Sequence, residues 1–296
     1  MIVIVATYRR VVTTPYQMTD LGLASQFLNI KIEHYSTSNK EDSSLSQTHP
    51  KLFYHVCLSQ EQFINNLLQP FHMVECNQTK TPLETGNDLR VQVPTISSDL
   101  HSGSCSQPLD RSMSILKEYQ SLVGSLMYLM LCTRPDLALM ISTLSKFPSA
   151  PLTIHLATAK RVPHYLNATK TLALSFSSEE RDTQLLGFSD SDCGGDRDDL
   201  KSTSGYVFTI GGTAISWKSK KPAVVALSST EEEYIGISEA TREAIWLQRL
   251  LYELTESNKP INPQPLFVDN QGAIKLTENS RFDDRMKHID IKYHVV

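Results

Sequence analysis

The chain has 296 residues, 40% of them hydrophobic and 20% charged, with 28 basic and 32 acidic side chains and a formal net charge of -4. That composition is ordinary for a folded globular protein, and the charge excludes bulk electrostatic binding to nucleic acid, so any such binding must come from local patches. In chain order, the apolar run at residues 2–6 predicts a strand and is too short for the apolar region of a signal peptide. The Ser-, Thr- and Asn-rich stretch 35–49 reads as a loop. Residues 60–69 have the spacing of a short amphipathic helix with Phe63, Leu67 and Leu68 on one face. Residues 79–107 are polar, contain Pro82 and Pro94, and read as an exposed linker. Residues 119–133 predict the clearest helix of this half, with Tyr119, Leu122, Leu126 and Leu129 sharing a face that Val123 and Met130 widen. Pro135 suits the first turn of a further helix over 136–147, with Arg134 and Asp136 as a polar hinge at its start.

The second half is denser in signals. Residues 184–192 read QLLGFSDSD, a short apolar run ending in carboxylates. Residues 203–211 and 214–218 are β-rich, and Gly211-Gly212 between them predicts a hairpin. A short apolar run at 224–227 follows, and then Ser229 with Glu232 three residues on, a capping-box pattern. A helical period continues through Tyr234, Ile237, Ala240, Ala244, Leu247, Leu251 and Leu254. Residues 265–268 predict a strand that runs into Asp269, and 271–278 a helix. Asp190, Glu233 and Asp269 therefore fall at a strand, a helix start and a strand end. Carboxylates gathered from separate elements at one end of a sheet suit Mg²⁺ or Mn²⁺, hard cations that bind oxygen, and two ions about 4 Å apart hold both oxygens of a phosphodiester displacement. By spacing alone, each of the three acids reads first as an ordinary solvated surface acid.

The motifs GFSDSDCGGD, STSGYVFTIGGTAISWKSKK, ALSSTEEEY, SEATREAIWL, FVDNQGAIKL and KHIDIKYH, in this order, resemble the ribonuclease H domain of Ty1/copia-type retrotransposon Pol polyproteins. QMTDLGLASQFLNIKIE, YQSLVGSLMYLMLCTRPDLALMISTLSKF and HLATAKRVPHYLNATKTLALSFS resemble the C-terminal part of the reverse transcriptase of the same polyproteins, running into its thumb and connection. The resemblance implies an α/β fold, a ribonuclease H-like mixed sheet with flanking helices, preceded by an α+β and helical reverse-transcriptase remnant. It implies three regions: 1–110, a palm-end remnant with a polar linker; 111–182, a helical thumb- or connection-like segment; and 183–296, the ribonuclease H-like domain. It further implies hydrolysis of RNA in RNA–DNA hybrids with Mg²⁺ or Mn²⁺, and Asp190, Glu233 and Asp269 as catalytic and metal-binding acids.

Some family features depart from the pattern here. The polymerase motif Tyr-x-Asp-Asp does not occur in the chain, so no DNA synthesis is expected of it. Pro163 falls where the family runs as a continuous helix, and an interior proline costs about 3 kcal/mol. The family's last strand and helix, with a fourth acid, are expected to be absent. That would leave a sheet edge uncovered and make the 185–296 segment prone to association. His288 and Asp290 are secondary candidates; His288 reads also as a structural histidine. Lys218, Lys220 and Lys221, beside Trp217, are candidate phosphate contacts for a hybrid and read equally as a solvated lysine turn. The other expected partners are further parts of the Pol polyprotein. The alternative is an inactive, element-derived protein that acts at most as a nucleic-acid-binding or interaction module.

Five cysteines, Cys57, Cys76, Cys105, Cys132 and Cys193, form no CxxC pair and read as reduced intracellular thiols. No apolar run approaches the roughly 18 residues of a membrane span. A cytoplasmic or nuclear protein, neither secreted nor in a membrane, is the expectation.

Overall fold

The structure, a computed structural model, describes residues 22–38, 52–83, 108–178, 184–192, 203–221, 228–255 and 263–278. It is mixed α/β, with two four-stranded sheets and six helices among the described residues. The expected strand at 2–6, the apolar run 224–227, most of the polar linker, and His288 and Asp290 lie outside the described residues. The chain divides into two compact units. Of the described residues, those within Leu28–Lys31 and Leu58–Leu174 form one, and those within Met1–Phe27, Ile32–Cys57 and Ser175–Val296 form the other.

The first unit is helical. Helix α1 (Glu61–Leu68) buries Ile64, Leu67 and Leu68. Its inward face thus centres on Ile64, with the expected Phe63 only partly buried beside it. Helix α2 (Pro108–Cys132) begins well before Tyr119, the start that periodicity predicts. Its extra N-terminal turns mix polar and apolar residues (Pro108-Leu109-Asp110-Arg111-Ser112), so no apolar face marks them in the sequence. Leu122, Leu126 and Leu129 are fully buried, each worth roughly 1.5–3 kcal/mol of apolar burial. Tyr119 is buried with them, and its hydroxyl donates to the Leu144 carbonyl at 2.6 Å.

Pro135 does open the next element, as a single 3₁₀ turn (Pro135–Leu137) that leads into α3 (Ala138–Leu144). The hinge before it is a part-buried ion pair, with Arg134 inside and Asp136 at the surface. Arg134, only 1% exposed, donates from Nε and Nη2 to the two carboxylate oxygens of Asp136 at 3.0 and 2.7 Å, and also to the carbonyl and hydroxyl of Thr169. The Tyr165 hydroxyl donates to the same carboxylate at 2.8 Å. Burial alone would raise Asp136, but the guanidinium and the Tyr165 hydroxyl outweigh it and hold the carboxyl below its ordinary value. Helix α4 (Thr153–Ala168) runs unbroken across Pro163. The proline removes one backbone donor, while Val162, Pro163 and Leu166 are buried around it, so packing holds the helix through the lost bond.

In the second unit, one sheet has the order β1 (Gln26–Phe27), β2 (Ile30–Ser38), β3 (Leu52–Ser59), β4 (Leu174–Ser177). Tyr35–Ser38, expected in a loop, belong to β2: cross-strand partners override the polar composition, with Tyr35 stacked on His55 and the Thr37 hydroxyl 2.8 Å from His55 Nε2. β3 itself carries no sequence expectation, although its first residues alternate exposed and buried.

The other sheet has the order β7 (Thr213–Lys220), β6 (Thr203–Ile210), β5 (Leu185–Asp192), β8 (Leu266–Phe267). The β6–β7 hairpin turns at Gly211-Gly212, both at positive φ (55° and 71°), the geometry that suits a two-residue hairpin turn and that glycine adopts without a steric penalty. β5 pairs antiparallel with β6 and parallel with β8, through Gly187↔Leu266 and Phe188↔Phe267. Among the described residues β7 and β8 are the edges of this sheet. Helix α5 (Ser229–Thr255) packs on β5 and β6, and Leu185, Phe208, Ala240 and Leu247 form the core between them. Along β5, Leu185, Gly187, Ser189 and Ser191 are buried, while Phe188 and Asp190 alternate with them and are exposed. Helix α6 (Gln271–Glu278) packs against α5.

Candidate functional site

The site forms where β5, α5 and the β8–α6 junction meet. Asp190 lies on β5, opposite Gly205 in the antiparallel register. Glu233 sits in the opening turns of α5. The cap of that helix is Ser228: the Glu231 N–H donates to its hydroxyl at 3.3 Å, and the Glu232 N–H to its carbonyl at 3.1 Å. The expected cap, Ser229, is one residue late, because the adjacent pairs Ser228/Glu231 and Ser229/Glu232 carry the same pattern and only geometry separates them. Asp269 lies two residues past the end of β8, after Val268. Next to it, Asn270 caps α6 by accepting from the Ala273 N–H at 3.0 Å.

Two close approaches draw these elements together. A Cβ on Gly236 would lie 2.5 Å from Ser191 Oγ, so α5 rests on β5 at a distance only glycine permits. A Cβ on Gly272 would lie 3.1 Å from Thr230 Oγ1, so the start of α6 sits tight against the start of α5. The result is that ligand oxygens of Asp190, Glu233 and Asp269 all lie within 4.8 Å of one another. The three acids that sequence reasoning singled out are thus brought together. Ser191, Gly236 and Asn270, which hold them, were not singled out; a glycine in a helix interior, where alanine would be favoured, is the one signal that marks any of them.

Asp190 and Asp269 are exposed, whereas Glu233 is only 5% exposed. Burial pushes Glu233 up to about 7. The Ser191 N–H, donating to Oε1 at 3.2 Å, works against that shift, and the carboxylates of Asp190, Asp269 and Glu232 add to it. The other oxygen, Oε2, is buried with no hydrogen-bond partner. An all-carboxylate donor set with one buried, unsatisfied acceptor fits a hard divalent cation such as Mg²⁺ or Mn²⁺. Three mutually repelling carboxylates also gain when a cation enters.

The candidate basic run lies on β7 and just past it. The Lys218 ammonium pairs with Glu239 at 3.1 Å and lies 6.0 Å from the Tyr206 ring centre. Lys220 is exposed at the strand end and Lys221 is half-buried beyond it. The described cysteines, Cys57, Cys76 and Cys132, are free thiols. No helix among the described residues is long and apolar enough to cross a membrane.

Comparison with known proteins places the chain. It is 38% identical over 280 residues, 94% of its length, to the retrovirus-related Pol polyprotein from transposon TNT 1-94 of Nicotiana tabacum. It is 36% identical over 239 residues, 81% of its length, to the retrovirus-related Pol polyprotein from transposon RE1 of Arabidopsis thaliana. The chain belongs to the retrovirus-related Pol polyproteins of copia-type transposons. It spans 19% and 15% of the length of those two relatives. A third relative is short: the chain is 50% identical over 129 residues to secreted RxLR effector protein 161 of Plasmopara viticola, a match that takes in 44% of the chain and 90% of that protein. No family profile matches the chain. No solved structure matches it.

Proposed function

We propose that residues 183–296 of this Pol-derived chain form a ribonuclease H-like unit that hydrolyses RNA in RNA–DNA hybrids. The single observation that carries the reading is the convergence of Asp190, Glu233 and Asp269, from a strand, a helix start and a strand end, to within 4.8 Å. These three residues would hold Mg²⁺ or Mn²⁺. When bound, a pair of such ions activates a water and neutralises charge on the leaving oxygen of a phosphodiester. The chain's own contribution is positional. Ser191 fixes one Glu233 oxygen and leaves the other for a ligand, and Asp190 and Asp269 stand at the solvent side, where a nucleic acid strand has access. Lys220 and Lys221 would add sequence-independent phosphate contacts, with Lys218 held at their base by Glu239. In this reading 111–182 is a thumb- or connection-like segment, 1–110 a reverse-transcriptase palm-end remnant, and other parts of the Pol polyprotein are its partners.

The test is hydrolysis of a labelled RNA–DNA hybrid by the full chain, with and without Mg²⁺, beside Asp190→Asn. Cleavage that needs Mg²⁺ and is lost in a folded Asp190→Asn protein supports the reading. Cleavage that survives that substitution overturns the site assignment.

One observation favours a second reading, a protein that acts through binding without hydrolysis. A relative named as a secreted effector matches the chain over nine-tenths of its own length. A folded wild-type chain that binds a hybrid but leaves it uncut in Mg²⁺ and Mn²⁺ decides for this reading.

A further inference from the structure

At one point α5 approaches the sheet at a distance that only glycine permits. Gly236 is about one helical turn beyond Glu233 and faces two hydroxyls of β5 and one residue of β6: a Cβ there would stand 2.5 Å from Ser191 Oγ, 3.5 Å from Ser189 Oγ and 3.7 Å from Ser204 Cβ. The first distance is one that side chains do not tolerate, while the other two are ordinary contacts. Ser191 cannot turn aside freely, because it is buried and its hydroxyl bonds to Ser204 Oγ at 3.0 Å. The same residue sends its backbone N–H to Glu233 Oε1. One strand residue therefore both limits how far α5 can descend and receives the carboxylate that the descent delivers.

We propose that Gly236 is a positioning residue for the acidic site: the absence of its side chain sets the height of α5 above β5 and so the distance from Glu233 to Asp190. The inference rests on the metal-site reading above for its functional meaning, and on packing alone for its geometry. Added bulk at 236 lifts the helix, lengthens the Ser191 N–H bond to Glu233, and spreads the donor set. The obstacle is a single atom, Ser191 Oγ, so removing that atom should make room for the methyl group.

The experiment is a double-mutant cycle on the full chain with Gly236→Ala, Ser191→Ala and the double variant, which isolates the coupling between neighbours. Mn²⁺ affinity is read by calorimetry, and protection of the Ser191 amide by hydrogen exchange without metal. In the wild-type background Gly236→Ala is expected to lower Mn²⁺ affinity by about ten- to a hundredfold, the range for residues that orient metal ligands, and to lose Ser191 amide protection. In the Ser191→Ala background the same change is expected to cost less than about threefold. Equal losses in both backgrounds, or wild-type affinity and amide protection in Gly236→Ala, overturn the proposal. If Gly236→Ala alone does not fold, recovery of a folded, Mn²⁺-binding protein in the double variant supports the spacing role, and failure to recover overturns it. If the native chain binds no Mn²⁺, the metal-site reading fails, while the Ser191 amide still decides whether Gly236 sets the helix height.

Discussion

The backbone N–H of Ser191 holds Oε1 of Glu233 at 3.2 Å while Oε2 of the same carboxylate is buried without a hydrogen-bond partner. Half of this side chain is anchored to the sheet and half is buried without a partner, and the carboxylate lies within 4.8 Å of its two acidic neighbours. A buried acceptor in that state is costly, by roughly 1–3 kcal/mol, unless a ligand or a proton satisfies it. Glu233 is therefore the member of the trio whose state reports on site occupancy.

Removing one acid is expected to weaken the site sharply without unfolding it. Asp190 is exposed and makes no core contact in the way Leu185 does. A charge about 4 Å from another interacts by roughly 4 kcal/mol at an effective dielectric near 20. Asp190→Asn should accordingly lower Mn²⁺ affinity on the order of a hundredfold or more by calorimetry, with the melting temperature in metal-free buffer unchanged or slightly raised.

The pH dependence has a definite sign. Glu233 is raised from 4.5 to about 7 in the fold, chiefly by burial. Between those values the folded state holds a proton that the unfolded state has released, so stability falls as pH rises from about 4.5 to 7 and then levels. The span corresponds to roughly 3 kcal/mol at most. Glu233→Gln should flatten this slope, raising stability at pH 8 and changing it little at pH 4.5, as read from denaturant midpoints. Saturating Mg²⁺ should stabilise the native chain increasingly across the same pH window, since the cation displaces the proton.

In the helical unit, the buried Arg134 is the expected weak point. Arg134→Ala would leave Asp136 partly buried without its cation and remove donors from Thr169. Breaking one side of a fully buried pair costs about 3–5 kcal/mol, and the 31% exposure of the Asp136 side chain puts the expected loss below that range. Arg134→Lys should recover only part of this, because a single ammonium cannot reproduce the two-pronged contact. Retention of full stability in Arg134→Ala would show that the pair contributes nothing net.

Hybrid affinity should depend on salt through the end of β7. Removing one phosphate-binding lysine should reduce the slope of log affinity against log salt by roughly 1. Lys220→Ala and Lys221→Ala should act in this way with little dependence on sequence. Lys218→Ala should act more on stability, because its ammonium already pairs with Glu239. Unchanged salt slopes in both terminal variants would remove this surface from the interface.

What the sequence reveals and what it hides divide along physical lines. The Gly211-Gly212 hairpin and the helix over Gln271–Glu278 are legible because short-range chemistry decides them. The acids Asp190, Glu233 and Asp269 stand out through their motifs. β3 and the end of β2 are not legible, since Tyr35, Thr37 and His55 are held by partners on a neighbouring strand that no local window contains. The early start of α2 and the survival of α4 across Pro163 are likewise tertiary outcomes. The close approach at Gly236 belongs to the same class: its meaning appears only when Ser191 is seen opposite it.

The mixed pairing around β5 also favours an order of assembly. β5, β6 and β7 follow one another in the chain and can zip together as a meander. The parallel partner β8 must arrive from beyond the whole of α5, through a two-residue ladder. Closing that long loop has an entropic cost that the short ladder only partly repays. Asp190 and Glu233 would then meet early and Asp269 join them last, so a cation held by all three acids would act as a latch on the completed sheet rather than as a seed for it.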